Sequence, residues 1–267
     1  MKTRLDKALV EQGLVTSRER AQALILAGRV LVAEQRVDKP GAAVDERAML
    51  RIVGDDLRYV SRGGLKLQRA LEHWKIALDG RACVDVGTST GGFTDCMLQA
   101  GARSVLAVDT GYGQIAHKLR VDPRVSLMER CNARLLAPGE LFGKSSETIS
   151  FVAMDVSFIS ATLVLPAVIA ALAVPGEHWH GEAVVLIKPQ FEAGREHVGK
   201  GGIVRDPGAR DLAIARVREC VSAVGGERTE VIDSPITGAE GNHEYLLHAT
   251  FRQPAASEAT GNGTLLP

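Results

Sequence analysis

Polar residues stand where the apolar runs of this chain stop. Asp85 and Gly87 close Cys83–Val86, Asp109 follows Val105–Val108, and Asn132 comes shortly after Val125–Met128. Asp155 follows Ile149–Met154, and Lys188 follows Ala183–Ile187. Between the first two acids lies Gly87-Thr88-Ser89-Thr90-Gly91-Gly92, and Phe93 opens a helical pattern behind it. Glycines there let the backbone approach a ligand closely, and the helix start offers free N–H groups. No Lys-Ser/Thr pair follows them, which removes a phosphate loop, and the dinucleotide G-x-G-x-x-G spacing is absent. A carboxylate at Asp85 would repel a pyrophosphate and suit a cationic amino-acid ligand. Asp109, about 20 residues on, is placed for a ribose diol. Together they point to S-adenosylmethionine rather than NAD; the competing reading is an ordinary strand-to-helix turn.

Each remaining polar residue has a bland alternative. Asn132 is placed to meet an adenine edge, or it forms a turn. Asp155 is a crevice acid or a helix N-cap. Lys188 at the mouth of an apolar strand is costly unless paired or functional, and function is favoured. Lys66 falls on a helix that Ser61 could cap, where a surface lysine is the ordinary outcome. Glu244 sits at the start of the last strand, where a solvated turn acid competes. The seven histidines form no ligand cluster, so no metal is expected. The four cysteines, Cys83, Cys96, Cys131 and Cys220, form no C-x-x-C pair and read as buried free thiols of a reducing compartment.

These residues need a sheet to converge. Apolar runs at Cys83–Val86, Val105–Val108, Val125–Met128, Ile149–Met154, Ala183–Ile187 and Tyr245–Phe251 alternate with helical segments. That is the rhythm of an α/β fold with a doubly wound, mostly parallel sheet, whose ligands bind at the carboxyl ends of the strands. Glu192 to Gly208, glycine-rich and basic through Arg195, Lys200 and Arg205, reads as a mobile loop closing over a polyanion, or as a passive surface loop. Asp211 to Val224 reads as an amphipathic helix, and the tail after Arg252 as disordered. Ala161 to Val174, broken by Pro166, is shorter than the ~20 residues of a membrane span and reads as a buried helix. There is no N-terminal secretory signal, so a cytoplasmic location and no membrane partner are expected.

The 267 residues carry zero formal net charge, so any nucleic-acid surface has to be local. Residues 1–56 read as a separate α+β unit, 57–64 as a linker, 65–252 as the large domain and 253–267 as the tail. In the first unit Leu5, Ala8 and Leu9 mark a helix ended by Gly13. Thr16-Ser17-Arg18-Glu19 is a capping-box start for a second helix, ended by Gly28. Arg4, Lys7, Arg18, Arg20 and Arg29 cluster around that helix pair. They read as an RNA-binding face, or, with Asp6, Glu11 and Glu19 mixed in, as a solvated surface.

Two resemblances sharpen this. Arg4-Leu5-Asp6, Gly13-Leu14-Val15, Ser17-Arg18, Ala21, Ile25, Gly28 and Val30 resemble the S-four-type RNA-binding domain. Over nearly the whole length, the chain resembles the TlyA family, historically called haemolysin A, whose members are ribosomal RNA 2′-O-methyltransferases related to FtsJ. The matching motifs are Tyr59 to Gly63, Gly87 to Asp95, Asp109 to Gln114, Asp155 to Ser160, Ile187 to Phe191 and Gly241 to Tyr245. The resemblance implies a Rossmann-like class I methyltransferase domain and a catalytic set at Lys66, Asp155, Lys188 and Glu244. It also implies S-adenosyl-L-methionine bound by Asp85, Gly87 to Phe93, Asp109, Asn132 and Asp155. RNA would be gripped by the basic cluster with Arg62, Lys200 and Arg205. The expected activity is methylation of a ribose, cytidine by resemblance, in ribosomal RNA or ribosomal subunits, by a monomer or weak dimer. Some members carry Arg-Ala-Trp-Val between the domains; Leu57-Arg58-Tyr59-Val60 keeps an aromatic and loses the Trp. A non-catalytic ribosome-assembly factor and a membrane-active haemolysin are the alternatives.

Overall fold

Two short helices pack their apolar stripes together at the N-terminus. The structure is a computed structural model and describes residues 2–15, 17–26, 28–53, 58–144, 147–174, 176–238 and 240–252. The first unit comprises β1 (Lys2–Arg4), α1 (Leu5–Glu11), α2 (Arg18–Leu26), β2 (Val30–Val32), β3 (Gln35–Arg36), β4 (Ala43–Asp45) and β5 (Leu50–Ile52). Leu5, Ala8 and Leu9 of α1 meet Ala21, Leu24 and Ile25 of α2 over Val30, Val44 and Leu50. Gly13 and Gly28 follow the helices with φ of +70° and +65°. Thr16, expected to open the capping box, lies outside the described residues; Ser17 Oγ accepts from Arg20 N–H at 3.2 Å.

Asp6 corrects the expected surface. It is fully buried and accepts from Arg4 at 3.0 Å, from Arg18 at 3.1 Å and from Gln22 at 2.8 Å. The Arg4 bond, with help from Gln22 and Arg18, holds its carboxyl well below the usual range. Arg18 and Gln22 of α2 therefore lock onto α1 through Asp6, while Arg4 grips the same carboxylate from just before α1, so both arginines are partly engaged within the unit. Their side chains stay half exposed, at 52% and 49%.

The second unit continues with α3 (Gly63–Trp74), β6 (Ala82–Val86), α4 (Gly92–Gln99), β7 (Ser104–Val108), α5 (His117–Arg120), β8 (Val125–Met128) and α6 (Glu140–Lys144). Then come β9 (Ile149–Met154), α7 (Ala161–Leu172), β10 (Gly181–Ile187), α8 (Pro189–Glu192), α9 (Pro207–Ala223), β11 (Gly226–Asp233) and β12 (Tyr245–Phe251). They build one sheet of seven strands, ordered β11-β12-β10-β9-β6-β7-β8. Only β12 runs against its neighbours. The mostly parallel expectation holds, with β11 as an added edge strand. Glu227, Glu230 and Asp233 are exposed along it, and that polar edge hid the strand from an apolar-run reading.

The chain turns from β6 to β7 on one side and resumes with β9 on the other, so the strand order reverses between β6 and β9. A crevice opens at such a point. Val86 pairs with Met154 across it, and Asp155 N–H donates to Val86 O at 2.9 Å.

Pro166 does not break α7. The carbonyl that would have bonded the missing Pro166 N–H is Thr162 O, and it accepts from Cys220 Sγ at 3.5 Å. Among the described residues no helix is long and apolar enough to cross a membrane.

The stretch expected to be a linker is packed on the second unit from Arg58 onward. Tyr59 is 3% exposed within the core around α3 and α4. Val60 N–H donates to Asp95 Oδ2 at 2.8 Å, and Gln99 donates to Arg58 O at 2.9 Å. Ser61 does not cap α3: the N-cap position is Arg62, and no side chain bonds there. The loop after Glu192 is not free of the body either. Asn242, 2% exposed, accepts from Val204 N–H at 3.0 Å and donates to Gly202 O at 2.8 Å. Residues 253–267, read as a disordered tail, lie outside the described residues.

Candidate active site

Two cavities meet at the strand-order reversal. The larger, about 490 Å³, is lined by the Gly87 turn, Phe93, Ser61 and Arg62 on one side and by Asp155, Lys188, Lys66 and Glu244 on the other. The second, about 460 Å³, runs from Gly87 and Ser89 to Asp109 and Asn132. Gly87, Ser89, Asp155, Ser157 and Phe158 border both. The turn has to be glycine at two positions. Gly87 has φ +87°, and a Cβ there would collide with the Asp155 carbonyl; a Cβ on Gly92 would strike Ser61 Oγ.

The carboxylates read from the sequence divide in role. Asp109 accepts from Ser89 N–H at 2.7 Å and from Gly111 N–H at 2.6 Å, so it shapes both loops while bordering the second cavity. Asn132 forms a turn, its Oδ1 accepting from Arg134 N–H at 3.1 Å, and the residue also borders the second cavity. Asp85 is a correction. It is fully buried, borders neither cavity, and accepts from Thr94 N–H at 2.9 Å and Thr94 Oγ1 at 2.6 Å. Its side chain turns beneath the loop toward α4. Burial pushes its carboxyl up to about 7, against the opposing Thr94 bonds. Through Oδ2 it holds the start of α4 behind the glycine turn.

Four side chains from distant parts of the sequence form a chain of alternating charge. Lys66 Nζ lies 2.5 Å from Glu244 Oε2 and 4.0 Å from Asp155 Oδ2. Lys188 Nζ lies 2.6 Å from Asp155 Oδ1 and donates to Ser157 Oγ at 2.6 Å. Lys66, Lys188 and Glu244 are at most 8% exposed. Buried charges have to be paired, and two lysines with two acids balance. The surface-lysine reading of Lys66, the turn-acid reading of Glu244 and the cap reading of Asp155 all give way to this arrangement. The N-cap of α7 is Ser160.

The glycine turn and the buried, charge-balanced lysine–carboxylate set thus lie at one cavity, and comparison with known proteins gives the family. Residues 59–251 match the FtsJ-like methyltransferase family, and residues 3–50 match the S4 domain. The chain belongs to the FtsJ-like methyltransferase family. Its relatives include YqxC of Bacillus subtilis, named as an rRNA methyltransferase, 49% identical over 92% of this chain and 85% of that one. The 16S/23S rRNA (cytidine-2′-O)-methyltransferase TlyA of Mycobacterium tuberculosis is 42% identical over 97% of this chain and 94% of its own. A solved structure of a Streptococcus thermophilus protein titled as a hemolysin superposes with a TM-score of 0.72 at 41% identity, covering 97% of this chain and 92% of that one.

The methyltransferase uses S-adenosylmethionine, and the residues present fit that group. The two cavities join at the Gly87 turn, and Gly87, Asp109 and Asn132, which border them, would hold it. The closeness of Gly87 to the Asp155 carbonyl keeps side chains out of the passage between them.

Sequence reasoning passed over several residues of this site. Ser157, two positions after Asp155, takes the Lys188 hydrogen bond. Phe158, quoted only as part of a motif, is 93% exposed at the border of both cavities. It has φ +64°, a left-handed conformation rare for an aromatic residue, and its ring lies 5.7 Å from that of Phe191. Such outliers gather at functional sites. Of the basic residues assigned to RNA, only Arg62 borders the larger cavity. Lys200 and Arg205 are exposed on the loop that Asn242 pins, and Lys7 is exposed on α1. Arg29 donates to Val53 O at 2.9 Å.

Proposed function

We propose that this protein methylates a ribose 2′-hydroxyl, that of a cytidine, in ribosomal RNA or a ribosomal subunit. The observation that carries the proposal is the meeting of Lys66, Asp155, Lys188 and Glu244 at one cavity beside the Gly87 turn. The names of the relatives support the substrate. A cytoplasmic site of action belongs to the same proposal.

S-adenosylmethionine, when bound, supplies the electrophilic methyl group on its sulfonium. The protein's part is to bring a weak nucleophile in line and take its proton. We assign that proton to Lys188 Nζ. An ammonium cannot accept one until its own has moved, and Asp155 Oδ1, 2.6 Å away, is in reach. Asp155 becomes neutral when it takes that proton, while Lys66 stays paired with Glu244. Ser157 fixes the direction of the Lys188 amine. Ser61, Arg62 and the pinned loop border the mouth through which a nucleotide must come, so the base would have to leave its helix to enter. The exposed Phe158 ring offers it a stacking surface.

The division of labour follows from the sequence reading. Residues 1–56 hold RNA through Arg4, Lys7, Arg18, Arg20 and Arg29, and residues 65–252 carry the chemistry, with 57–64 between them. Ribose-methylation mapping of ribosomal RNA by mass spectrometry, from cells with and without this protein, tests the proposal. A 2′-O-methylcytidine that depends on the protein is expected. Identical maps would count against it.

A further inference from the structure

The two segments that carry the reactive groups leave neighbouring parallel strands. Asp155 to Ser160 follows β9 and contains Asp155, Ser157 and Phe158; Lys188 to Glu192 follows β10 and contains Lys188 and Phe191. On the cavity side they meet through Lys188, Asp155 and Ser157. They meet a second time away from the cavity. Glu192 Oε1 accepts from Ala161 N–H at 2.7 Å, and Glu192 Oε2 accepts from Ser160 Oγ. Ser160 Oγ in turn accepts from Thr162 N–H at 3.1 Å, capping α7. Arg216 of α9 donates to the Glu192 carbonyl at 2.6 Å.

Glu192 is 5% exposed and borders neither cavity. Burial raises its pKa, against the Ser160 and Ala161 bonds that favour the carboxylate. A buried acid away from the substrate is costly, and the free N–H groups and positive dipole end of α7 offset that cost.

We propose that Glu192 is a positioning residue for methyl transfer: its carboxylate fixes the Lys188 segment against the Asp155 segment. This rests on the reading of Lys188 and Asp155 given above. Removing the carboxylate removes no contact with substrate or cofactor. It frees α8 to shift against the start of α7, and with it the approach of Lys188 to Asp155 and to the hydroxyl. A misplacement on the order of 1 Å costs about 10²-fold in rate.

The test uses the full-length protein with Glu192→Ala, Glu192→Gln, Ser160→Ala and Lys188→Ala. The readouts are single-turnover methyl transfer at saturating ribosomal RNA and S-adenosylmethionine, and affinity for each. Glu192→Ala should lose about 10²-fold in the saturated rate, the scale of a small misplacement, with both affinities near wild type. Glu192→Gln, which keeps an acceptor for Ala161 N–H, should recover most of that rate. A wild-type rate in Glu192→Ala, or a loss that follows cofactor affinity, overturns the proposal. If Glu192→Ala does not fold, Ser160→Ala decides. A slower saturated rate with unchanged affinities supports the role, and an unchanged rate refutes it. Activity retained by Lys188→Ala counts against the catalytic assignment alone, so the two failures read separately.

Discussion

Lys66 Nζ and Glu244 Oε2 lie 2.5 Å apart, although one side chain comes from the helix before the first strand of the sheet and the other from the start of its last strand. Both are nearly buried. The pair therefore ties α3 across the mouth of the crevice to β12.

Removing one partner of a buried pair strands the other, at a cost of about 3–5 kcal/mol. Glu244→Ala should lower unfolding stability on that scale and slow methyl transfer sharply. Lys66→Met combined with Glu244→Leu should regain much of the stability and none of the activity. Urea denaturation and a methyl-transfer assay on the same proteins check this. A double variant no more stable than Glu244→Ala would show that the pair is not what holds α3 to β12.

Phe158 should trade stability against activity. Its left-handed backbone costs on the order of 1–3 kcal/mol, and glycine adopts that conformation freely. Phe158→Gly is expected to hold or raise the melting temperature. It should also weaken productive RNA binding, since one base–aromatic stack is worth about 1–3 kcal/mol. A variant with normal kcat/KM on ribosomal RNA would remove the ring from substrate recognition.

Asp85 makes stability depend on pH. Its folded pKa is raised to about 7 from the ordinary 3.8, with burial as the main cause. Between those values the folded state holds a proton that the unfolded state releases, so this contribution is complete below about pH 4 and is lost as pH rises to about 7. Asp85→Asn, which keeps an acceptor for Thr94, should flatten that stretch of the stability–pH curve. Urea midpoints at pH 5 and pH 8 measure it; equal slopes in both proteins would mean that Asp85 does not titrate there.

The sheet was readable in the sequence because parallel strands buried on both faces are continuous apolar runs, and the residue after each run marks the ligand end. Gly87, Asp109, Asp155 and Lys188 were found that way. The type of Asp85 was correctly noticed, yet its orientation toward Thr94 depends on where α4 packs, which no spacing reports. Asp6 was counted as a surface acid because its partners Arg4, Arg18 and Gln22 look like solvated charges along the chain. Ser157 and Glu192 were passed over because their meaning lies in partners from other segments, Lys188 for the one and Ser160 with Ala161 for the other. Lys66 and Glu244 stand out in the sequence only beside a surface-lysine and a turn-acid alternative, and the family resemblance is what joins them to Asp155 and Lys188, since a helix lysine and a turn acid carry no strong local signal.

The central claim is that Lys188 acts on the ribose hydroxyl and does not hold the cofactor. Lys188→Ala, given S-adenosylmethionine and ribosomal RNA, measures it most directly by following methyl transfer and cofactor affinity together. The account predicts methyl transfer lost with cofactor affinity near wild type. Methyl transfer retained at the wild-type rate, or lost only in proportion to cofactor binding, would contradict it.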